Sequence, residues 1–185
     1  MQTKLESLLE KSNQIKHHVS SSIATLPKEQ LSWKENTKKW SVLEVLKHLS
    51  LVYDKYLENF SKAISSAPVL SSDQTRKTER TLLGRLSIYS MKPKGKRRKF
   101  KMKTFDFFTP AHQPDHSDEI INEFLDKKGK FNELIREARM KDLHGVKMPT
   151  ALGEKMKFYV PECFEFILAH EERHMIQIEE ILQQQ

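Results

Sequence analysis

Cysteine is almost missing from this 185-residue chain: Cys163 stands alone, so no intramolecular disulfide can form and a disulfide-stapled fold is excluded. Glycine and proline are also scarce, at five and seven residues. A strand-and-turn protein needs more of both at its corners, whereas the plentiful Leu, Lys, Glu and Gln favour helices. No apolar run approaches the roughly 20 residues of a membrane-crossing helix, so no membrane span is expected. The first residues mix charges among leucines, unlike the apolar stretch of a signal peptide. A reducing, cytoplasmic setting is therefore the expectation. One domain, residues 1–185, is long enough to bury a core without disulfides or a structural metal.

Acidic residues are nearly absent from one stretch. Between Arg76 and Lys103 there are twelve basic residues and a single acid, Glu79, so this segment carries +11 of a net charge of +7. The remainder is then −4, a mildly acidic body with one basic insert. Such an insert suits an anionic thiol cofactor, nucleic acid or an acidic surface, or simply a solvated loop, which is the favoured reading. Its aromatic content, Tyr89 and Phe100, is too thin for a single-stranded nucleic-acid platform. Nucleic acid and membrane are not expected partners.

What is present is helical periodicity. Leu5, Leu8, Leu9, Ile15, Val19 and Ile23 recur at three- and four-residue steps and predict a first helix over Thr3–Ile23, closed by Leu26-Pro27. Ser41 with Glu44 three residues on forms a capping box, flanked by Trp40 and Val45 as a hydrophobic staple, and opens a second helix to about Ala67. A short helix over Thr81–Met91, a solvated loop over Lys92–Lys103 and an extended stretch from Phe105 to Pro110 follow. Ser117 opens a third helix to about Arg139. A connector through His144, Gly145 and Pro149 leads to Pro161, which suits a first helical turn, and the last helix runs to about Leu182. Four long amphipathic helices without a strand series point to an all-α four-helix bundle.

The inward stripe of the last helix reads Cys163, Phe166, Ile167, His170, His174, Ile178, Ile181. Two histidines thus occupy positions where the pattern asks for apolar side chains. Their i, i+4 spacing stacks both imidazoles on one face, where they can reach a single metal ion. His48 interrupts the stripe of the second helix in the same way, beside Val45, Leu49 and Val52. Three imidazoles suit Zn, Ni, Cu or Fe and leave a coordination position open for chemistry. Core histidines, each satisfied by one hydrogen bond, are the alternative.

The segments Trp40-Ser41-x-x-Glu44-Val45-Leu46-x-His48-Leu49 and His170-Glu171-x-x-His174-x-x-Gln177-Ile178 resemble the DinB/YfiT-like superfamily. The resemblance covers nearly the whole length. The Leu26-Pro27 to Leu31 connector, the Phe105–Pro110 stretch and Leu152-Gly153 fall where that family has similar features. It implies a bundle of up-down-down-up topology, often dimeric, with a divalent metal, zinc or nickel first, held by His48, His170 and His174. It also implies a thiol-dependent transferase, in which the metal activates bacillithiol, mycothiol or glutathione for attack on a small-molecule electrophile. A metal-dependent hydrolase and a non-catalytic metal-binding protein are the alternatives.

Other polar residues near these motifs have plainer readings. Glu44 serves the capping box before it serves His48. Gln177 either hydrogen-bonds at the site or lines the helix surface. Glu171 and Glu172 read as a solvated face, with Glu171 kept as the candidate catalytic residue, a general base. Cys163, two turns from His170, reads as a small buried core residue. His17, His18, His112, His116 and His144 are expected at the surface.

Overall fold

The computed structural model describes residues 2–71, 79–95, 97, 98, 100, 103–112 and 116–185. Four long helices form its body: α1 (Gln2–His18), α3 (Val42–Ser66), α5 (Ser117–Arg139) and α6 (Val160–Leu182). Two shorter ones, α2 (Lys28–Ser32) and α4 (Leu82–Met91), lie in the connections. Beyond α1 the chain widens into a π-helical turn, Val19–Ile23. There the hydroxyls of Ser20 and Ser21 both donate to the His17 carbonyl, an acceptor that the α-helical ladder would otherwise claim.

The side-chain pairs fix the direction of each helix. Lys4 meets Glu165 and Lys11 meets Glu172, so α1 and α6 advance together and run parallel. Glu6 meets Arg139 and Ser12 meets Asn132, so α5 runs against α1. Lys47 meets Glu123 and Phe60 meets Phe131, which makes α3 parallel to α5. Finally, His48 meets His170 whereas Phe60 stacks on Phe164 with ring centroids 4.1 Å apart, so α3 and α6 are antiparallel. The bundle is up-down-down-up, the topology that the sequence resemblance implies.

One apolar cluster joins Leu5 and Ile15 of α1, Val45 and Phe60 of α3, Phe124 and Phe131 of α5, and Phe164 and Ile178 of α6. The predicted start of α3 is present in full. Ser41 Oγ accepts the Glu44 N–H at 3.2 Å and Glu44 accepts the Ser41 N–H at 2.8 Å. This box opens the helix nearly two turns before His48 and sets the depth at which that ring enters the core.

The connector expected between His144 and Pro161 is corrected to a β-hairpin, β1 (Lys147–Thr150) and β2 (Gly153–Tyr159). The strands are antiparallel, with Met148 opposite Phe158, and a bulge falls between Pro149 and Thr150. Met156 and Phe158 alternate with Lys155 and Lys157, a period-2 signal too short to stand out beside a proline. Gly153, at φ +105°, takes a backbone conformation closed to other residues. Two smaller corrections follow: the connector after Pro27 contains α2, and the Phe105–Pro110 stretch contains a single 3₁₀ turn, Asp106–Phe108.

The described residues of the Lys92–Lys103 loop are nearly all exposed, as expected, but the basic insert is also tied to the bundle. Arg76, Lys77, Lys96, Lys99 and Lys101 lie outside the described residues. Among the others, Arg80 and Lys92 reach Glu165 at 2.7 and 3.0 Å, and Arg98 pairs with Glu180. Glu162 accepts the Thr81 N–H at 2.8 Å, and a Cβ at Gly84 would lie 2.5 Å from the same carboxylate. The insert is thereby drawn onto α6. The described residues include no helix long and apolar enough to cross a membrane.

Candidate metal centre

His48 comes from α3, and His170 and His174 come from consecutive turns of α6. All three are buried, at 3, 9 and 8 % exposure, and one ring nitrogen of each lies within 4.8 Å of the others. The contacts run through Nε2: His170 Nε2 is 3.3 Å from His48 Nε2 and 3.1 Å from His174 Nε2. This is the constellation that the broken apolar stripes predict.

The opposite nitrogens set the protonation. His48 Nδ1 lies 2.8 Å from the Phe108 carbonyl, which can only accept, so the proton sits on Nδ1 and Nε2 is a bare lone pair. His174 Nδ1 donates in the same way to Gln177 Oε1 at 3.0 Å. His170 Nδ1 is buried with no partner among the described residues. Burial lowers the pKa of His48 against a smaller opposing effect of the Phe108 carbonyl. His170 and His174 are held well below the usual histidine value, chiefly by burial and then by their imidazole neighbours, with Arg173 adding to the effect.

Neutral rings with lone pairs turned inward fit a cation better than they fit one another. A single N–H on His170 can satisfy one of the two facing lone pairs well, which leaves the other without a donor. A tetrahedral zinc with bonds of about 2.0–2.1 Å spaces its nitrogen ligands at about 3.3 Å, close to the two separations between these rings. The donor set therefore suits a divalent ion of the zinc or nickel type, and these three residues could hold it.

The cluster opens into a cavity of about 1160 Å³. Val52, Tyr56, Phe108, Thr150, Phe158 and Arg173 are its buried lining, together with the histidines. Its exposed lining includes Lys38, Lys39, Arg97, Arg98, Lys103 and Leu152. Trp40, expected only as a staple residue, lies over the histidines with its ring centroid 4.9 Å from that of His48 and 6.3 Å from that of His174. The hairpin forms another wall through Thr150, Ala151 and Met156.

The remaining predicted residues fall as follows. Gln177 takes the site role, through His174. Glu44 stays with the cap and with Lys34 at 2.8 Å, and it does not contact His48. Cys163 is a core residue, 1 % exposed, and burial pushes its thiol up. His17, His18, His112, His116 and His144 are exposed.

Glu171 departs from the solvated face expected of it. It is 1 % exposed and faces the interior, where Tyr53 donates to Oε1 and Lys128 to Oε2, the latter at 2.5 Å. Both oxygens are committed and the residue does not line the cavity, so the geometry offers no route by which it takes a proton from a molecule there.

Sequence reasoning missed the Phe108 carbonyl and Arg173. The carbonyl leaves no mark in residue type. Arg173 had a weaker signal, a charge three residues after His170 and beside His174 on the face of α6 that also carries Phe166 and Gln177.

A sequence profile of the DinB superfamily matches residues 15–178. Comparisons with curated proteins and with solved structures gave no match. The matched span begins within α1, takes in all three histidines and ends near the close of α6, and on this ground the chain belongs to the DinB superfamily.

Proposed function

We propose that the protein is a metal-dependent enzyme in which His48, His170 and His174 hold one divalent ion, zinc or nickel. Its reaction is attack of a low-molecular-weight thiol, of the bacillithiol or glutathione kind, on a small electrophile: a carbon–sulfur bond forms, the thiol proton is lost, and the electrophile's leaving group departs. The observation that carries this reading is the convergence of three neutral imidazoles on a cavity rather than in a closed core. Structural sites are closed by four protein ligands, whereas reactive sites keep a position open to the cavity.

When bound, the ion would supply Lewis acidity that favours a thiolate at neutral pH. The chain's own residues do the rest. The Phe108 carbonyl and Gln177 hold protons on Nδ1 and so keep Nε2 of His48 and His174 free to ligate. Trp40, Phe108 and Phe166 give the cavity apolar walls that displace water around a bound molecule. The cationic lining favours an anionic reactant. A volume of about 1160 Å³ slightly exceeds the usual range of small-molecule sites, about 300–1,000 Å³. That volume can admit a thiol together with a small electrophile.

Zinc-loaded protein incubated with monobromobimane and either bacillithiol or glutathione tests the reading. Conjugate should form faster than the spontaneous reaction, and the excess rate should vanish in His48→Ala. No acceleration with either thiol, or turnover of ester substrates in water alone, would contradict thiol transfer, and the second result would favour hydrolysis.

A further inference from the structure

Arg173 is 6 % exposed and belongs to the cavity lining. Its Nη2 donates to the Phe100 carbonyl, a neutral acceptor, while Nη1 is buried with no partner among the described residues. No carboxylate forms an ion pair with this guanidinium among the described residues, although Arg98 has Glu180 and both Arg80 and Lys92 have Glu165. Glu180 favours its charge without pairing with it, and a buried cation with no paired anion is costly unless something of opposite charge reaches it. The rest of the lining deepens the imbalance. Lys38, Lys39, Arg97, Arg98 and Lys103 add positive charge, against which Glu180 is the one acid among the described residues of the lining.

We infer that this cavity recognises an oxyanion, a carboxylate or phosphate group on one of the reacting small molecules, and that Arg173 is the residue that anchors it. Nη1 and the neighbouring guanidinium edge supply the planar fork that such a group accepts in a bidentate manner. Arg173 lines the same cavity as His48, His170 and His174, so a molecule held there by its anionic end has the three imidazoles in reach. The exposed cations draw the anion in, and the buried arginine fixes its orientation. As a positioning device in the proposed reaction the anchor rests on the reading of this cavity as the reaction site, but oxyanion binding itself needs no metal. The two can therefore fail separately.

The test is calorimetric titration of the full chain, stripped of metal with a chelator, with phenyl phosphate, benzoate and uncharged benzyl alcohol. At least one anion should bind about tenfold or more tightly than benzyl alcohol, as a charge-assisted contact would give. Which anion does so names the head group. Arg173→Gln should abolish that preference, and Arg173→Lys, which keeps the charge but not the fork, should retain a part of it. Circular dichroism checks that each variant folds, and Arg173→Lys alone decides the matter should Arg173→Gln fail to fold. An undiminished preference in Arg173→Lys, and in Arg173→Gln where it folds, would overturn the inference, as would equal binding of all three compounds to the parent. His48→Ala should keep the anion preference while losing metal. A parent that shows anion preference without thiol transfer would sink the proposed reaction but leave the oxyanion site standing.

Discussion

The individual imidazole is where the candidate metal centre is decided. His48 and His174 each have Nδ1–H tied to an acceptor, and that single bond aims each Nε2 lone pair inward. Replacing Gln177 with Leu removes the acceptor on His174 while keeping bulk and helix propensity. Zinc affinity should then fall by about 10–100-fold, the usual effect of losing such a partner. Competition with a chromogenic chelator measures it, and an unchanged affinity would mean that Gln177 does not orient the ring. The three histidines were legible in the sequence because each breaks an apolar stripe at helical spacing. Gln177 was legible only as one of two readings. The partner of His48 was not legible, since a backbone carbonyl from a 3₁₀ turn some sixty residues away belongs to no residue type.

Between elements, the bundle interior holds an ion pair that no apolar pattern announces. Lys128 of α5, fully buried, donates to Glu171 of α6, and Tyr53 of α3 donates to the same carboxylate. Burial lowers the Lys128 pKa, with Glu171 opposing, and burial together with the Glu171 charge raises that of Tyr53. Lys128→Ala strands a carboxylate among apolar side chains and should destabilise the fold by about 3–5 kcal/mol, whereas the double change Lys128→Met with Glu171→Leu should recover most of that loss. Urea unfolding of the single and double variants checks it, and a double variant no more stable than the single would contradict the account. Lys128 falls on the inner face of α5 among Phe124, Phe131 and Ile135. From sequence alone it reads as a polar interruption, because its partner sits on another helix. By contrast the start of α3 was readable to the residue, since the Ser41 and Glu44 capping box is local. The β-hairpin escaped because its strands are short and β1 contains a proline, so its register depends on packing against the bundle.

At the scale of the whole molecule, the antiparallel crossing of α3 and α6 fixes the position of the site. Phe60 stacks on Phe164 at one level of the crossing. His48, about 18 Å earlier along α3, meets His170 and His174 at the other. The up-down-down-up order came from the family resemblance rather than from the hydrophobic pattern, which is the same for either direction of a helix. The hairpin, the 3₁₀ turn and the basic insert then build walls above the histidines and turn a helix interface into a cavity. The proposed reaction requires that this interface hold one divalent ion. It is tested most directly by the metal content of protein purified without a histidine tag, beside His48→Ala and His170→Ala prepared identically. About one equivalent of zinc or nickel per chain is expected in the parent and none in either variant. A parent that takes up neither ion, even after incubation with both, would contradict it and leave the three imidazoles as core residues.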